Sequence, residues 1–268
     1  MPSPPERRRA KGKMGAMPSV DLISVTPVKC FALSHPDEIE LTTAGVPGNR
    51  RFLLVNGDGK RLRSSLTSWP IVLRADYDSA AERLRIAFPD GAVVEESALG
   101  NGDVVDLDYH GRSVRSRILE GGWDGRLAAM AGHPVRIVRP EEHGHTQEAP
   151  VTFISDGSLQ RLGQEAGRPV DGRRFRMLFT LSGCRPHQED EWDGHLLKIG
   201  RAVIRAGGPV ERCAMTTRDP DTGERDLDTL GLIKRYRGLS DRRTIDFGVY
   251  AEIVEPGVVR VGDTVEPI

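Results

Sequence analysis

The residue best suited to chemistry is Cys213, in the stretch GGPVERCAMTTRDPDTGERD. A free cysteine most often packs in a core as a small apolar side chain. Here the preceding glycines and proline predict a strand that ends just before the cysteine, and the adjacent guanidinium of Arg212 favours the thiolate. Thr216 and Thr217 add hydroxyl donors. A thiolate in such a polar setting acts as a nucleophile or as a ligand for a soft metal, so these roles and simple burial all stay open.

Groups that could assist the cysteine are harder to identify. A nucleophilic cysteine needs a general base beside its sulfur. The seven histidines fall in no catalytic motif, although the sequence allows a Cys–His pair to form in space. Asp219 and Asp221 are candidate proton relays, but their Asp-Pro-Asp-Thr-Gly context is more typical of carboxylates that cap a turn.

A second group of candidate residues is cationic. Lys29 ends the first predicted strand, and Arg50 and Arg51 lead into another. If neighbouring strands bring these positions together, they form a pocket for phosphate. The alternative is that they are solvated charges on edge strands. The same two interpretations apply to a basic segment, GRRFRM, that contains three further arginines: Arg173, Arg174 and Arg176.

Composition excludes several classes of protein. The chain has 268 residues, a formal net charge of -1 and 5% aromatic residues, which argues against a surface for nucleic acid. Its cysteines form no CxxC pair, so we expect no disulfide framework, structural zinc site or iron–sulfur cluster. We therefore predict a reducing, cytoplasmic location. No apolar run approaches the roughly 20 residues that cross a bilayer.

The elements that must position these residues are mainly short β-strands. Apolar and polar residues alternate in VDLISVTPVKCF and RRFLLVNGDGKRLRS, and the second stretch contains the Asn-Gly-Asp-Gly turn of a hairpin. The segment ISDGSLQRLGQEAG predicts a helix with Ser155 at its N-cap. We predict a mainly β fold with a few short helices, divided into a disordered tail (1–19), an N-terminal β-barrel domain (20–125) and a C-terminal β-barrel domain (126–268).

Several of these motifs together resemble the MOSC proteins in which an N-terminal β-barrel precedes the MOSC domain. The mitochondrial amidoxime-reducing components and their bacterial relatives share that architecture. In the first half the resemblance is carried by TPVKCFA and LTTAGVPGNRRFLLVNGDGKRL. In the second half it is carried by RRFRMLF, by EDEWDGHLLKIGRAVIRAGGPVERCAMTTRDPDTGERD and by RVGDTV. It covers residues 20–268 and implies a MOSC N-terminal barrel over 20–125 and a MOSC domain over 126–268.

The resemblance also implies a ligand and a site. Proteins of this family bind molybdenum cofactor, a pterin dithiolene with a phosphate tail. Cys213 corresponds to the family's thiolate ligand to molybdenum. Lys29 and Arg51 correspond to the residues that hold the phosphate, and Arg176 to an arginine that approaches the cofactor. The predicted cofactor-binding set is completed by three hydroxyl residues: Ser155, Thr216 and Thr217.

The implied activity is that of a molybdenum-dependent oxidoreductase. It would remove the oxygen of N-hydroxylated compounds with electrons from a separate flavin or iron–sulfur protein. One alternative is a non-catalytic carrier of molybdenum cofactor, or of a sulfur species on Cys213. Related cofactor sulfurases add a pyridoxal-phosphate-dependent desulfurase, for which this chain has no room. The remaining alternative is a cofactor-free β-barrel in which Cys213 is simply buried.

Three positions depart from the family pattern. Cys30 follows Lys29 where relatives carry a small hydroxyl residue. Arg50 stands where relatives carry an acidic residue. Met177-Leu178 replaces a Pro-Asn pair, which removes an amide that could hydrogen-bond the pterin. We therefore expect the pocket to differ in detail from that of its relatives.

Overall fold

The computed structural model describes residues 17–62, 67–109, 111–142 and 149–268. Of the predicted tail, residues 1–19, positions 1–16 lie outside the described residues. Ser19 is already the first residue of a strand. Strands predominate in the described ranges and the helices are short, so the predicted mainly β fold is confirmed. None of the helices within these ranges has the length and apolarity to cross a bilayer.

The elements alternate between runs of strands and single helices. In chain order they are β1 (Ser19–Ile23), β2 (Glu38–Leu41), β3 (Leu53–Asn56), β4 (Arg74–Asp78), β5 (Arg83–Ala87), β6 (Val93–Ser97), β7 (Val104–Tyr109), β8 (Arg112–Leu119), α1 (Trp123–Ala131), β9 (Val135–Pro140), β10 (Val151–Ser155), α2 (Asp156–Ala166), β11 (Phe179–Ser182), β12 (Leu196–Ile199), β13 (Ala202–Glu211), α3 (Thr229–Arg237), β14 (Asp246–Glu255), β15 (Gly257–Arg260) and β16 (Val265–Pro267).

The largest sheet has seven strands in the order β1-β11-β10-β14-β13-β12-β16. Neighbouring strands are antiparallel except β10 and β11, which run parallel. Val20 N donates to Asp263 O (2.9 Å) and Val265 N donates to Pro18 O (2.7 Å), so the two edges of the sheet meet and it nearly closes into a barrel. Buried apolar side chains fill its interior, among them Phe153 and Phe179.

Two smaller sheets, β3-β9-β8-β7 and β4-β5-β6, consist of first-half strands and β9, and β2 pairs with β15. The two smaller sheets enclose a second apolar core around Phe52, Leu84 and Trp123. Strands pair across the predicted boundary at residue 125 in both directions: β1 joins β11 of the large sheet, and β9 joins β3 and β8. Pairing between strands so far apart in sequence leaves no local signal, because it depends on which edges are exposed after each half has formed.

The helix predicted after β10 is confirmed as α2. Ser155 is its N-cap, and its Oγ accepts a hydrogen bond from Ser158 N at 3.1 Å. Beyond the other end, Gly167 adopts a left-handed conformation with φ 66°, which is typical of a helix C-terminus. The first turn of this helix also contacts His187, through the Ser158 hydroxyl.

Burial keeps His187 neutral. Its Nδ1 lies 3.3 Å from Ser158 Oγ, and the Arg237 guanidinium contacts the same nitrogen. Burial first, and the Arg237 charge second, lower the pKa of His187 to about 4. The unfolded chain therefore takes up a proton at a higher pH than the folded chain does, and stability must fall as pH falls between the two pKa values.

We expect His187 to cost the protein about 2 kcal/mol of unfolding free energy as pH falls from about 6.5 to about 4, with no further loss from this residue below that. This cost is less than the full pKa change corresponds to, because the ring is only half-buried. His187→Asn removes the titration and suits the left-handed backbone at φ 60°. Denaturant unfolding near neutral pH and again near pH 4 should give a shallower pH dependence for the variant. Equal pH dependences would contradict the assignment.

Candidate functional site

Cys213 lies in a cleft of about 1190 Å³ that both halves of the chain line. This volume exceeds the roughly 300–1,000 Å³ of common small-molecule sites, so the cleft can hold a large ligand. The first half contributes Lys29, Cys30, Arg50 and residues of β7. The second half contributes a set that surrounds the cysteine: Arg174, Arg176, Met177, Arg212, Thr216 and Tyr250.

The backbone at Cys213 is fixed on both sides. Strand β13 ends at Glu211, and a short 3₁₀ helix, Ala214–Thr217, begins directly after the cysteine. Arg212 N donates to Ile245 O (2.7 Å), and Thr216 N donates to Cys213 O (3.2 Å). Cys213 itself is exposed, so its interpretation as a buried core thiol is wrong. A fixed, exposed thiol at the end of a strand is suited to contact a ligand.

Arg212 forms part of the floor beneath the cysteine. It is buried, and its guanidinium donates to Phe247 O (2.6 Å) and Phe175 O (3.1 Å) and to the Met177 sulfur (2.8 Å). Burial lowers its pKa to about 10, so it stays charged at neutral pH. The Met177 departure thus has a structural consequence: its thioether accepts from Arg212 at a position where the family pattern has a proline, which could not accept this bond through its side chain. Adjacency to Cys213 was the only sequence signal for Arg212.

Three non-glycine residues with left-handed backbone meet in the cleft: Cys30 (φ 81°), Arg50 (φ 51°) and Arg176 (φ 53°). The Arg50 guanidinium donates to Arg176 O at 2.6 Å, and the Arg176 guanidinium donates to Phe31 O at 2.6 Å. Burial lowers the pKa of both arginines, that of Arg176 to about 10. Such strained conformations persist where the surrounding structure holds them, and they concentrate at ligand sites.

Lys29 lines the cleft as predicted, whereas Arg51 does not. The Lys29 ammonium contacts the Tyr109 hydroxyl and lies 4.8 Å from the centre of its ring. The buried Arg51 guanidinium instead donates to Pro140 O, and burial lowers its pKa to about 10. The left-handed backbone of Arg50 (φ 51°) turns its side chain away from that of Arg51. The structure places Arg50 there.

The predicted hydroxyl residues separate in the same way. Thr216 lines the cleft, and its Oγ1 lies 3.1 Å from Cys213 O and 2.7 Å from Thr229 Oγ1. Thr217 donates to Ala214 O within the 3₁₀ helix. Ser155 is fully buried, and its Oγ donates to Glu189 at 2.6 Å. Ser155 and Thr217 therefore serve local structure and lie outside the cleft lining.

The acidic turn after the cysteine is tied to the basic segment that precedes Arg176. Asp219 Oδ1 accepts from the backbone amides of Asp221 and Thr222, both at 2.9 Å, which is the turn-capping role. Arg174 forms two hydrogen bonds of 2.6 Å with Asp226, and Arg173 pairs with Asp221 at 2.8 Å. These contacts fix where the turn lies relative to the cleft.

The donor set at this site offers one exposed thiol, that of Cys213, and several cations. Among the described residues, no three His, Cys, Asp or Glu side chains lie close enough together to hold a metal ion. A metal at Cys213 would therefore take most of its ligands from a bound organic group. The size of the cleft and the buried cations of its floor suit a large anionic group of that kind.

Comparisons with known proteins point to one family. Residues 140–266 match the MOSC domain. The chain is 25% identical to mitochondrial amidoxime-reducing component 1 from Homo sapiens, over 98% of this chain and 86% of the relative. It is 27% identical to mitochondrial amidoxime reducing component 2 from Homo sapiens, over 97% and 86%. Among solved structures, the YUAD protein from Bacillus subtilis aligns with a TM-score of 0.43 and 10% identity over 93% and 94% of the two chains.

Proposed function

Because the chain is a MOSC-domain relative of the mitochondrial amidoxime-reducing components, we propose that it is an oxidoreductase that reduces N-hydroxylated compounds with bound molybdenum cofactor. The observation that carries the proposal is the exposed Cys213 thiol in a large cleft with buried arginines in its floor. In this arrangement one bound molecule could contact both a thiol that binds a soft metal and arginines that bind a phosphate.

The residues present fit such a cofactor. The Cys213 thiolate is a ligand of the soft kind that molybdenum–sulfur chemistry requires. Lys29, Arg50 and Arg176 line the same cleft and offer charge-assisted hydrogen bonds to phosphate. In this assignment Arg50 takes the place predicted for Arg51. When bound, the cofactor supplies the two-electron redox chemistry, and the protein supplies binding and orientation.

The overall reaction balances with two electrons and two protons. The N–O bond of R–NH–OH breaks, and the products are R–NH2 and water. The electrons come from a separate flavin or iron–sulfur protein. The chain contributes the fixed Cys213 backbone at the metal end of the ligand and the Arg50–Arg176 contact at its phosphate end, which together would hold the ligand in one orientation.

The activity is tested with the full chain purified from a host that makes molybdenum cofactor. The protein is reduced with dithionite and supplied with benzamidoxime, and benzamidine is measured by chromatography. We expect repeated turnover. Protein that holds molybdenum but produces no benzamidine would refute the oxidoreductase and support the non-catalytic carrier.

The two neighbouring arginines give a matched pair of variants. We expect Arg50→Gln to weaken cofactor retention by about 10- to 100-fold, because a charge-assisted contact to phosphate contributes about 1.5–3 kcal/mol. Arg51→Gln should retain the cofactor and lower the thermal midpoint instead, because the Arg51 side chain is buried outside the cleft. Molybdenum per chain after gel filtration and thermal unfolding measure the two effects. Loss of cofactor from Arg51→Gln alone would reverse the assignment.

A further inference from the structure

Four exposed cations lie at the end of α3 and in the loop that follows it. They are Lys234, Arg235, Arg242 and Arg243, which form no ion pair among the described residues. We call these four residues the basic surface. The exposed Leu239 (44% accessible) lies between the two pairs in sequence, and Asp241 is the only acidic residue in the span 234–243.

We propose that the basic surface is the docking site for an acidic electron-donor protein. The proposal rests on the proposed function, which requires electrons from a separate protein. Exposed cations around an accessible apolar side chain are typical of transient interfaces, in which complementary charge speeds encounter and a small apolar contact sets the register.

The basic surface is directly connected to the cysteine. At the start of α3, Thr229 Oγ1 lies 2.7 Å from Thr216 Oγ1. At the far end of the loop, Ile245 O accepts from Arg212 N, the residue before Cys213. The whole segment therefore leaves the barrel beside Cys213 and returns to it. A donor bound on this segment would therefore sit on an element that contacts the residues flanking the thiol, and none of the four cations lines the cleft.

The dipole of α3 accounts for only two of these four cations. Cations in the last turn of a helix are favoured by the helix dipole, which accounts for Lys234 and Arg235. Arg242 and Arg243 lie beyond the helix, in the loop after Gly238, and gain nothing from the dipole. A third basic residue of the last turn, Arg237, does have a partner, since it donates to Asp190 at 2.7 Å. That ion pair fixes the end of α3 to the barrel, and the four cations of the basic surface take no part in it.

The stoichiometry of the reaction also favours a charge-dependent, weak interface. Each turnover needs two electrons, so a one-electron iron–sulfur donor must bind and leave twice. Fast association and fast release are obtained when long-range charge attraction, rather than a large buried area, drives the contact. The four exposed cations of the basic surface provide that attraction.

The test uses a plant-type 2Fe–2S ferredoxin and a flavodoxin, both small acidic redox proteins, as probes. Binding to the full chain is measured by calorimetry at about 0.02 M and about 0.3 M salt, since screening lengths differ severalfold between these conditions. We expect at least one probe to bind at low salt and to bind more weakly at high salt. The variant Lys234→Gln/Arg242→Gln should weaken that binding about tenfold at low salt.

Lys198→Gln/Arg201→Gln is the matched control, because it removes one lysine and one arginine that are exposed on β12 and its following turn. It should change binding less than about twofold. Equal weakening by both variants, or no binding of either probe to the wild type, would overturn the docking site. The proposal would also be overturned if Lys234→Gln/Arg242→Gln lost binding to anionic lipid vesicles or to DNA but bound the redox proteins as tightly as the wild type does. Dithionite-driven turnover of the loaded variant should equal that of the wild type, so failure of the proposed activity is seen separately.

Discussion

Replacing Cys213 by alanine is expected to abolish amidoxime reduction and leave the fold intact. The thiol is exposed and makes no contribution to a hydrophobic core, so its removal should shift the thermal midpoint by less than about 2 °C. Turnover should fall by at least about 10³-fold, because the variant lacks the exposed thiol that the protein offers in the cleft. Dithionite-driven benzamidine formation and thermal unfolding, measured on the same preparations, separate the two effects.

Cys184→Ala provides the matched control. Cys184 is a half-buried thiol outside the cleft lining, and burial raises its pKa to about 12, so it has no thiolate character at neutral pH. The control should keep the wild-type rate. Residual turnover in Cys213→Ala comparable to that of Cys184→Ala would contradict the role of Cys213.

The largest expected effect on stability comes from Arg174→Ala. The Arg174 side chain is only 5% accessible and forms both of its short hydrogen bonds with Asp226, with Asp219 3.7 Å away. Asp226 is 30% accessible and keeps its pair with Arg168 at 3.0 Å, so the expected cost is that of the lost charge-assisted bonds, about 1.5–3 kcal/mol. The acidic turn after Cys213 should also loosen, so denaturant unfolding should be accompanied by weaker cofactor retention.

Arg173→Ala separates ion pairing from burial in the same motif. Arg173 also pairs with two carboxylates, those of Asp171 and Asp221, but its side chain is 33% accessible. Exposed pairs contribute about 1 kcal/mol or less, so this variant should unfold within that range of the wild type. If the two variants lost the same free energy, burial of Arg174 could not be the cause.

Local features of the sequence were sufficient for much of the fold. Alternating strands, the helix after β10 and the N-cap at Ser155 are each encoded within a few residues, because capping and strand amphipathicity depend on neighbours in the chain. The pairing of β1 with β11 was not predictable in this way. It joins Ser19 to Ser182, and only the closure of the large sheet makes that contact favourable.

The candidate site shows the same division at the level of single side chains. The sequence singled out Cys213, Lys29 and Arg176, and the structure brings all three to one cleft. The choice between Arg50 and Arg51 depends on which way one residue faces. The left-handed backbone of Arg50 sets that direction, and a repeating strand pattern gives no sign of it. The contact from Arg212 to Met177 likewise joins two segments that become neighbours only after folding.

The central claim is that Cys213 holds molybdenum cofactor in the cleft, and metal content tests it most directly. Wild type, Cys213→Ala and Cys184→Ala are purified side by side from a host that makes the cofactor, and molybdenum per chain is determined by mass spectrometry. We predict stoichiometric molybdenum in the wild type and in Cys184→Ala and a marked loss in Cys213→Ala. Equal molybdenum in all three proteins, or none in the wild type, would contradict the claim.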